Sequence, residues 1–295
     1  MAGLFLPALC YRSVHEALFQ LDLDSTAPYL ADHCPGGTPL LATAMAIEAL
    51  CGAAQSLLVG ERIHGLTNVE VHDPCVVPRP GRRTAAIRVR EAVNGDGLAC
   101  SLFTPAPNGR DTLHASATVR RHASTASAAL RHDGAPSIGT AAGVLGARIY
   151  EDFFHTGCYR VVDRAEWRAD HLVARFNPRL PASHPGPEQR SLSTPQLVEF
   201  ALQTAGLFEL ASSGRMRIPH RIGNIVLGDG DAGSASGPVH ARAQRAIDGE
   251  SLDAWVVDGA GQELVRVLGY ETVPLPFVVE LDRFDRLRDA LRRGT

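Results

Sequence analysis

Two stretches of the sequence set a group suited to proton transfer beside a long apolar run. In the first, Asp32 to Leu50 (DHCPGGTPLLATAMAIEAL), His33 precedes a Gly-rich turn and then a nearly uncharged segment. Imidazole titrates near neutral pH, so His33 is fitted to accept a proton. Backbone N–H groups at a helix start lack intrahelical partners and carry partial positive charge, which suits them to hold a thioester carbonyl oxygen as it gains enolate character. A thioester polarised in this way has an acidified α-proton within the chemistry of His33. Gly36 and Gly37 lack side chains and would let the thioester approach the backbone, with Gly37 the candidate for binding it.

The second stretch, PQLVEFALQ from Pro195, puts Glu199 and Gln203 one helical turn apart, so both side chains leave the same face. Loss of a β-hydroxyl needs a second group to protonate the departing oxygen, and a carboxyl in apolar surroundings keeps its proton to higher pH. Glu199 is the candidate acid, with Gln203 orienting it or the hydroxyl. Acid and base would have to reach one Cα–Cβ unit although far apart in sequence. Glu48, in the run that follows His33, is a second carboxylate and could be a second acid.

These groups need elements to hold them. Pro39 to Leu58 and Pro195 to Ser213 read as helices, apolar nearly all round, each beginning beside a proline that suits a first turn. After each come short stretches rich in Val, Ile and Thr, read as antiparallel strands, with Asn94-Gly95 and Asp258-Gly259 as hairpin turns. The run of small and polar residues between them reads as a linker over 123–144, dividing the chain into domains 1–122 and 145–295. The fold class predicted is α+β, with two antiparallel sheets each wrapped around a long central helix.

Composition narrows the partners. The chain has 295 residues, 45% hydrophobic and 21% charged, and a formal net charge of −3, which offers no electrostatic reason for nucleic acid or an anionic membrane. The apolar start, Met1 to Leu9, has no basic residues and breaks at Arg12, so no leader or spanning helix is expected and the protein is read as cytoplasmic. Its six cysteines form no Cys-x-x-Cys pair, which argues against zinc knuckles and disulfides. His15, His64, His72, His114, His122, His132, His171, His184, His220 and His240 show no paired metal spacing and are read as surface residues; no metal site is expected. The arginine-rich end, DRFDRLRDALRR, reads as a solvated helix face.

At this point the residues resemble a known group, the dehydratase domains of polyketide and polyunsaturated-fatty-acid synthases, and more distantly the single-hotdog hydroxyacyl-carrier-protein dehydratases. The group's His-x-x-x-Gly followed by an apolar helix with a glutamate is matched by His33, Gly37 and Glu48, and the resemblance implies a structural role for Glu48, the working acid coming from the other half. Its Pro-x-x-x-Asp-x-x-x-Gln is matched by Pro195, Glu199 and Gln203, with Glu199 in place of the aspartate. FFHTGCYRVVDR from Phe153 resembles the Phe-His-Gly-Pro-x-Phe segment of enediyne-type members. Ala42 stands where a proline is usual, and His155-Thr156-Gly157 where many members have Tyr-Gly-Pro, so the substrate-binding role of that tyrosine passes to His155 or Tyr159, or to no residue.

The resemblance implies a double hotdog that dehydrates a 3-hydroxyacyl thioester in polyketide or fatty-acid-like biosynthesis. The substrate would ride the phosphopantetheine of an acyl carrier protein, with no cofactor needed, and a homodimer would cover the sheet edges. Two alternatives stay open: a cyclase or double-bond isomerase using the same pair, and a carrier-binding double hotdog without activity.

Overall fold

The computed structural model of the chain describes residues 4–5, 7–58, 60–93, 95–122, 138, 142–184, 191–274 and 284–294. It divides into two units, residues 1–128 with 181–195, and residues 129–180 with 196–295. The expected linker lies outside the described residues except for Ile138 and residues 142–144.

The first unit contains β1 (Ala8–Arg12), β2 (Glu16–Asp24), α1 (Pro28–Ala31), α2 (Thr43–Gln55), β3 (Gly65–Val71), β4 (Arg82–Glu91), β5 (Gly97–Thr104) and β6 (Thr112–Arg120). Its strands run antiparallel in the order β1-β2-β4-β5-β6-β3. Every residue of α2 from Ala44 to Ala54 is buried, and the helix packs on β4, β5 and β6. The many alanines and Gly52 explain how: short side chains let strands come close on several sides of one helix, and the apolar surface so removed from water, at roughly 25 cal/mol per Å², is what holds the layer together.

This helix begins later than its proline suggests. Residues 39–41 are instead extended, pairing with residues 75–77: Val77 N–H donates to the Pro39 carbonyl at 2.9 Å and Leu41 N–H to the Cys75 carbonyl at 3.1 Å. That pairing holds Pro39 out of the helix, and α2 starts only at Thr43. A local propensity has lost to a long-range ladder.

The second unit contains β7 (Val144–Leu145), α3 (Gly146–Asp152), β8 (Val162–Arg168), β9 (His171–Phe176), α4 (Pro195–Ser213), β10 (Arg217–Leu227), β11 (His240–Arg245), β12 (Leu252–Val257), β13 (Glu263–Pro274) and α5 (Asp285–Arg293). The antiparallel order is β10-β13-β12-β11-β9-β8-β7. Here the proline does open its helix, α4. Phe200 meets Phe176 of β9 edge-on at 5.3 Å, and Phe208 stacks on Trp167 of β8 at 5.2 Å, so aromatic pairs fix the long helix to its sheet. Each unit is thus the helix wrapped by an antiparallel sheet that the sequence predicts.

Three smaller expectations need correction. In the β12–β13 turn the positive φ falls on Gly261, not Gly259, because the Asp258 carboxylate takes the N–H groups of Ala260 and Gln262 at 3.0 and 2.8 Å and so moves the tight bend onward. Asn94 lies outside the described residues, and the neighbouring Gly95 has φ +74°. Among the histidines read as surface residues, His114 and His240 are buried; His114 is held by the Asp73 carbonyl and the Thr104 hydroxyl. The arginine-rich α5 is only half a solvated face, since Leu287 and Leu291 are buried and Arg292 Nε donates to the Ala211 carbonyl at 2.6 Å.

Candidate active site

His33 sits just after α1 and is buried. It is clasped at both its backbone and its ring by one residue: Leu40 N–H donates to the His33 carbonyl at 3.1 Å, and His33 Nδ1 lies 2.7 Å from the Leu40 carbonyl. A carbonyl can only accept, so Nδ1 carries the hydrogen and the lone pair of the neutral ring lies on Nε2. Burial pushes the imidazole pKa down to about 4, against the opposing pull of the Leu40 carbonyl. At neutral pH His33 is therefore an uncharged base with its basic nitrogen fixed.

The loop between the clasp points needs both glycines. Gly36 and Gly37 have φ of +62° and +83°, and a Cβ at either would meet nothing within 4 Å. Their purpose in the fold is the left-handed backbone, not relief of crowding. Nor does this turn feed the helix directly, as the sequence suggested, because the extended residues before Thr43 intervene.

Glu48 is fully buried and bound to the chain just before α4 and to Leu4. Its carboxylate accepts from Leu4 N–H at 3.2 Å, Leu192 N–H at 2.9 Å, Ser193 N–H at 2.7 Å and the Ser193 hydroxyl at 2.6 Å. Burial pushes its pKa up and these donors pull it down. This is a structural carboxylate, in agreement with its reading from sequence. Glu48→Ala strands three backbone donors, each costing about 1–3 kcal/mol when buried without a partner, so a loss of about 3 kcal/mol or more is expected in urea unfolding. A loss under about 1 kcal/mol would show the clasp to be dispensable.

The second unit gathers the other predicted residues around α4. Glu199 is buried, and Gln203 Nε2 donates to its Oε1 at 2.8 Å, as the helical spacing implies. His155 Nε2 lies 3.5 Å from the same oxygen, its ring stacked on Phe154. Tyr159 enters through its backbone, its carbonyl accepting from Gln203 Nε2 at 2.9 Å. Burial pushes the Glu199 carboxyl up to about 7, the Gln203 donor opposing. Glu199, Gln203, His155 and Tyr159 thus stand together in one unit, while His33 and Gly37 belong to the other.

Sequence reasoning missed Tyr150, whose hydroxyl donates to Gln203 Oε1 at 2.8 Å and accepts from Val162 N–H at 2.8 Å. Nothing in its neighbourhood, IYEDFF, signals a contact with a residue on another helix. Among the described residues no group of three or more His, Cys, Asp or Glu side chains could hold a metal ion, and no helix is long and apolar enough to cross a membrane.

Residues 9–104 match the family model described as "Polyketide synthase dehydratase domain", and residues 140–280 the one described as "Polyketide synthase dehydratase N-terminal domain". Among solved structures, the chain is similar to a trans-AT polyketide synthase dehydratase domain from Brevibacillus brevis, with 16% identity over 93% of this chain and 100% of that one and a TM-score of 0.73. It is similar to an inactive variant of the CurK dehydratase in which a histidine is replaced by phenylalanine, with 15% identity over 92% and 97% of the two chains and a TM-score of 0.71. It is also similar to the pyran synthase domain from module nine of the sorangicin pathway, with 17% identity over 92% and 98% and a TM-score of 0.70. No curated protein matches the chain. Two family matches, over residues 9–104 and 140–280, together with the helix-in-sheet architecture of both units, place the chain in the polyketide synthase dehydratase family, as a double-hotdog lyase of dehydratase type.

Proposed function

We propose that the chain removes water from a 3-hydroxyacyl thioester carried on the phosphopantetheine of an acyl carrier protein, in polyketide or fatty-acid-like biosynthesis, with His33 as base and Glu199 as acid. The observation that carries this reading is a pair of buried proton-transfer groups, His33 with Nδ1 on the Leu40 carbonyl so that Nε2 holds the lone pair, and Glu199 bound at Oε1 by Gln203; burial lowers the pKa of the first to about 4 and raises that of the second to about 7. Between those values the one is a neutral base and the other a protonated acid, the pairing that elimination requires. His33 Nε2 takes the α-proton, the C–H electrons become the enolate, and backbone N–H groups hold its oxygen. The enolate electrons then form the Cα–Cβ double bond as the Cβ–O bond breaks, and the Glu199 proton completes the departing water. Gly37, Gln203, His155 and Tyr159 bind or orient the substrate. No electrons are gained or lost overall, so the reaction as written calls for no redox cofactor.

The similar CurK variant that lacks a histidine is inactive, which supports a histidine as the base here. A second reading is favoured by one observation, His155 beside Glu199: a second imidazole at the acid could carry a proton for ring closure or alkene migration, and a pyran synthase shares the fold. Mass spectrometry of synthetic 3-hydroxyacyl carrier-protein substrates tests the two together. Loss of water without further change supports the dehydratase. An isomeric mass with a shifted double bond, or a cyclised product, supports the alternative, and an unchanged substrate removes both.

The same pair predicts a bell-shaped pH profile. Rate should rise through about pH 4 as His33 loses its proton and fall through about pH 7 as Glu199 ionises, read as kcat/KM against pH on a carrier-protein substrate. Activity undiminished at pH 9 would remove Glu199 as the acid.

A further inference from the structure

The hydrogen bonds around Glu199 form a chain whose direction is set at both ends by the backbone. At one end Val162 N–H, which can only donate, lies 2.8 Å from the Tyr150 oxygen. The hydroxyl's own hydrogen must then go onward, to Gln203 Oε1 at 2.8 Å. At the other end the Tyr159 carbonyl, which can only accept, lies 2.9 Å from Gln203 Nε2. Both ends thus demand the same orientation of the Gln203 amide, oxygen toward Tyr150 and nitrogen toward Tyr159. The second hydrogen on that nitrogen points at Glu199 Oε1, 2.8 Å away.

From this sense we propose that Tyr150 is a positioning residue for the acid: by fixing the Gln203 amide it makes Glu199 Oε1 an acceptor only, so that the transferable proton resides on Oε2. The inference rests on Glu199 being the acid of the proposed reaction. His155 Nε2, 3.5 Å from Oε1, crowds the same oxygen. Tyr270 of β13 also faces this carboxyl, its hydroxyl pushed up first by burial and then by Glu199.

Without the Tyr150 hydroxyl, Gln203 Oε1 loses its donor and only the Tyr159 carbonyl still orients the amide, so the nitrogen is held less firmly at Glu199 Oε1 and stabilises the carboxylate less. Loss of one donor to a carboxylate moves its titration by about one pH unit. The carboxylic C=O band of Glu199, assigned by its absence in Glu199→Gln, reads this by infrared titration without any turnover. In the wild type it should titrate near 7, and in Tyr150→Phe about one pH unit higher, with kcat down about tenfold and KM little changed.

Gln203→Leu, which leaves the Tyr150–Val162 bond in place, should give the same upward shift, and adding Tyr150→Phe to it should shift the band no further. Full additivity of the two shifts would overturn the proposal, as would a Tyr150→Phe protein with impaired turnover and a wild-type titration. Should Tyr150→Phe not fold, an unchanged titration in Gln203→Leu alone overturns it. A chain that dehydrates nothing but shows the predicted band shifts would sink the dehydratase reading and leave the positioning role standing.

Discussion

His33→Ala is expected to lower the rate of water loss by on the order of a thousandfold or more, and to abolish exchange of the substrate α-proton with deuterated water. The magnitude follows from the role: without a base the enolate is not reached, and neither the backbone donors nor the acid can substitute for it. Because the ring also binds the Leu40 carbonyl at 2.7 Å, alanine removes a structural hydrogen bond along with the base. His33→Asn separates the two, since an amide N–H can still donate to that carbonyl but cannot take the proton. Equal loss of activity in both variants, with the thermal transition of His33→Asn near wild type, assigns the effect to chemistry. Release of water at the wild-type rate by His33→Ala would sink the assignment and make His155 the first candidate base.

Glu199→Gln is expected to act on a different step. Base and backbone donors remain, so slow α-proton exchange persists while loss of the hydroxyl, which needs a proton donor, falls on the order of a hundredfold. If elimination is concerted the two variants look alike and only the division of labour is lost. The substitution carries a stability signature as well. Burial holds the pKa of the folded carboxyl up at about 7, above the ordinary glutamate value of about 4.3, so between those pH values the folded state holds a proton that the unfolded state has released. Stability is therefore lost as pH rises through that window, by at most on the order of 3 kcal/mol. Glu199→Gln has no such proton to lose. Its stability relative to wild type should rise from pH 4.5 to 7.5, as read by urea unfolding at each pH, and a constant difference would show that the carboxyl is not held protonated.

Much of this was legible in the sequence because it rests on local spacing. Glu199 and Gln203 are one turn apart on a helix that its own proline starts, so their contact follows from helical geometry alone. His33 stood out by its Gly-rich turn, and the two apolar runs identified both central helices. The rest depended on pairing between distant segments. The late start of α2 is decided by residues 75–77, which no window around Pro39 contains. The positive φ of Gly37, which only the three-dimensional path of the loop reveals, was not legible beside the ligand approach expected of it. Tyr150 reaches Gln203 across 53 residues. The burial of His240 arises on a strand whose neighbours, β9 and β12, come from opposite directions along the chain.

The clasp between His33 and Leu40 bears on what turnover demands of the protein. A base must alternate between two protonation states in every cycle, and in many arrangements that alternation breaks a hydrogen bond and lets a loop relax. Here the Nδ1 hydrogen that binds the Leu40 carbonyl is present in the imidazole and in the imidazolium alike, and in the proposed reaction the substrate proton arrives at the opposite nitrogen. The loop meets the same partner before and after the proton lands. In that proposed reaction reorganisation would fall on the substrate and its departing water, while the bond that ties the loop to the base is kept throughout.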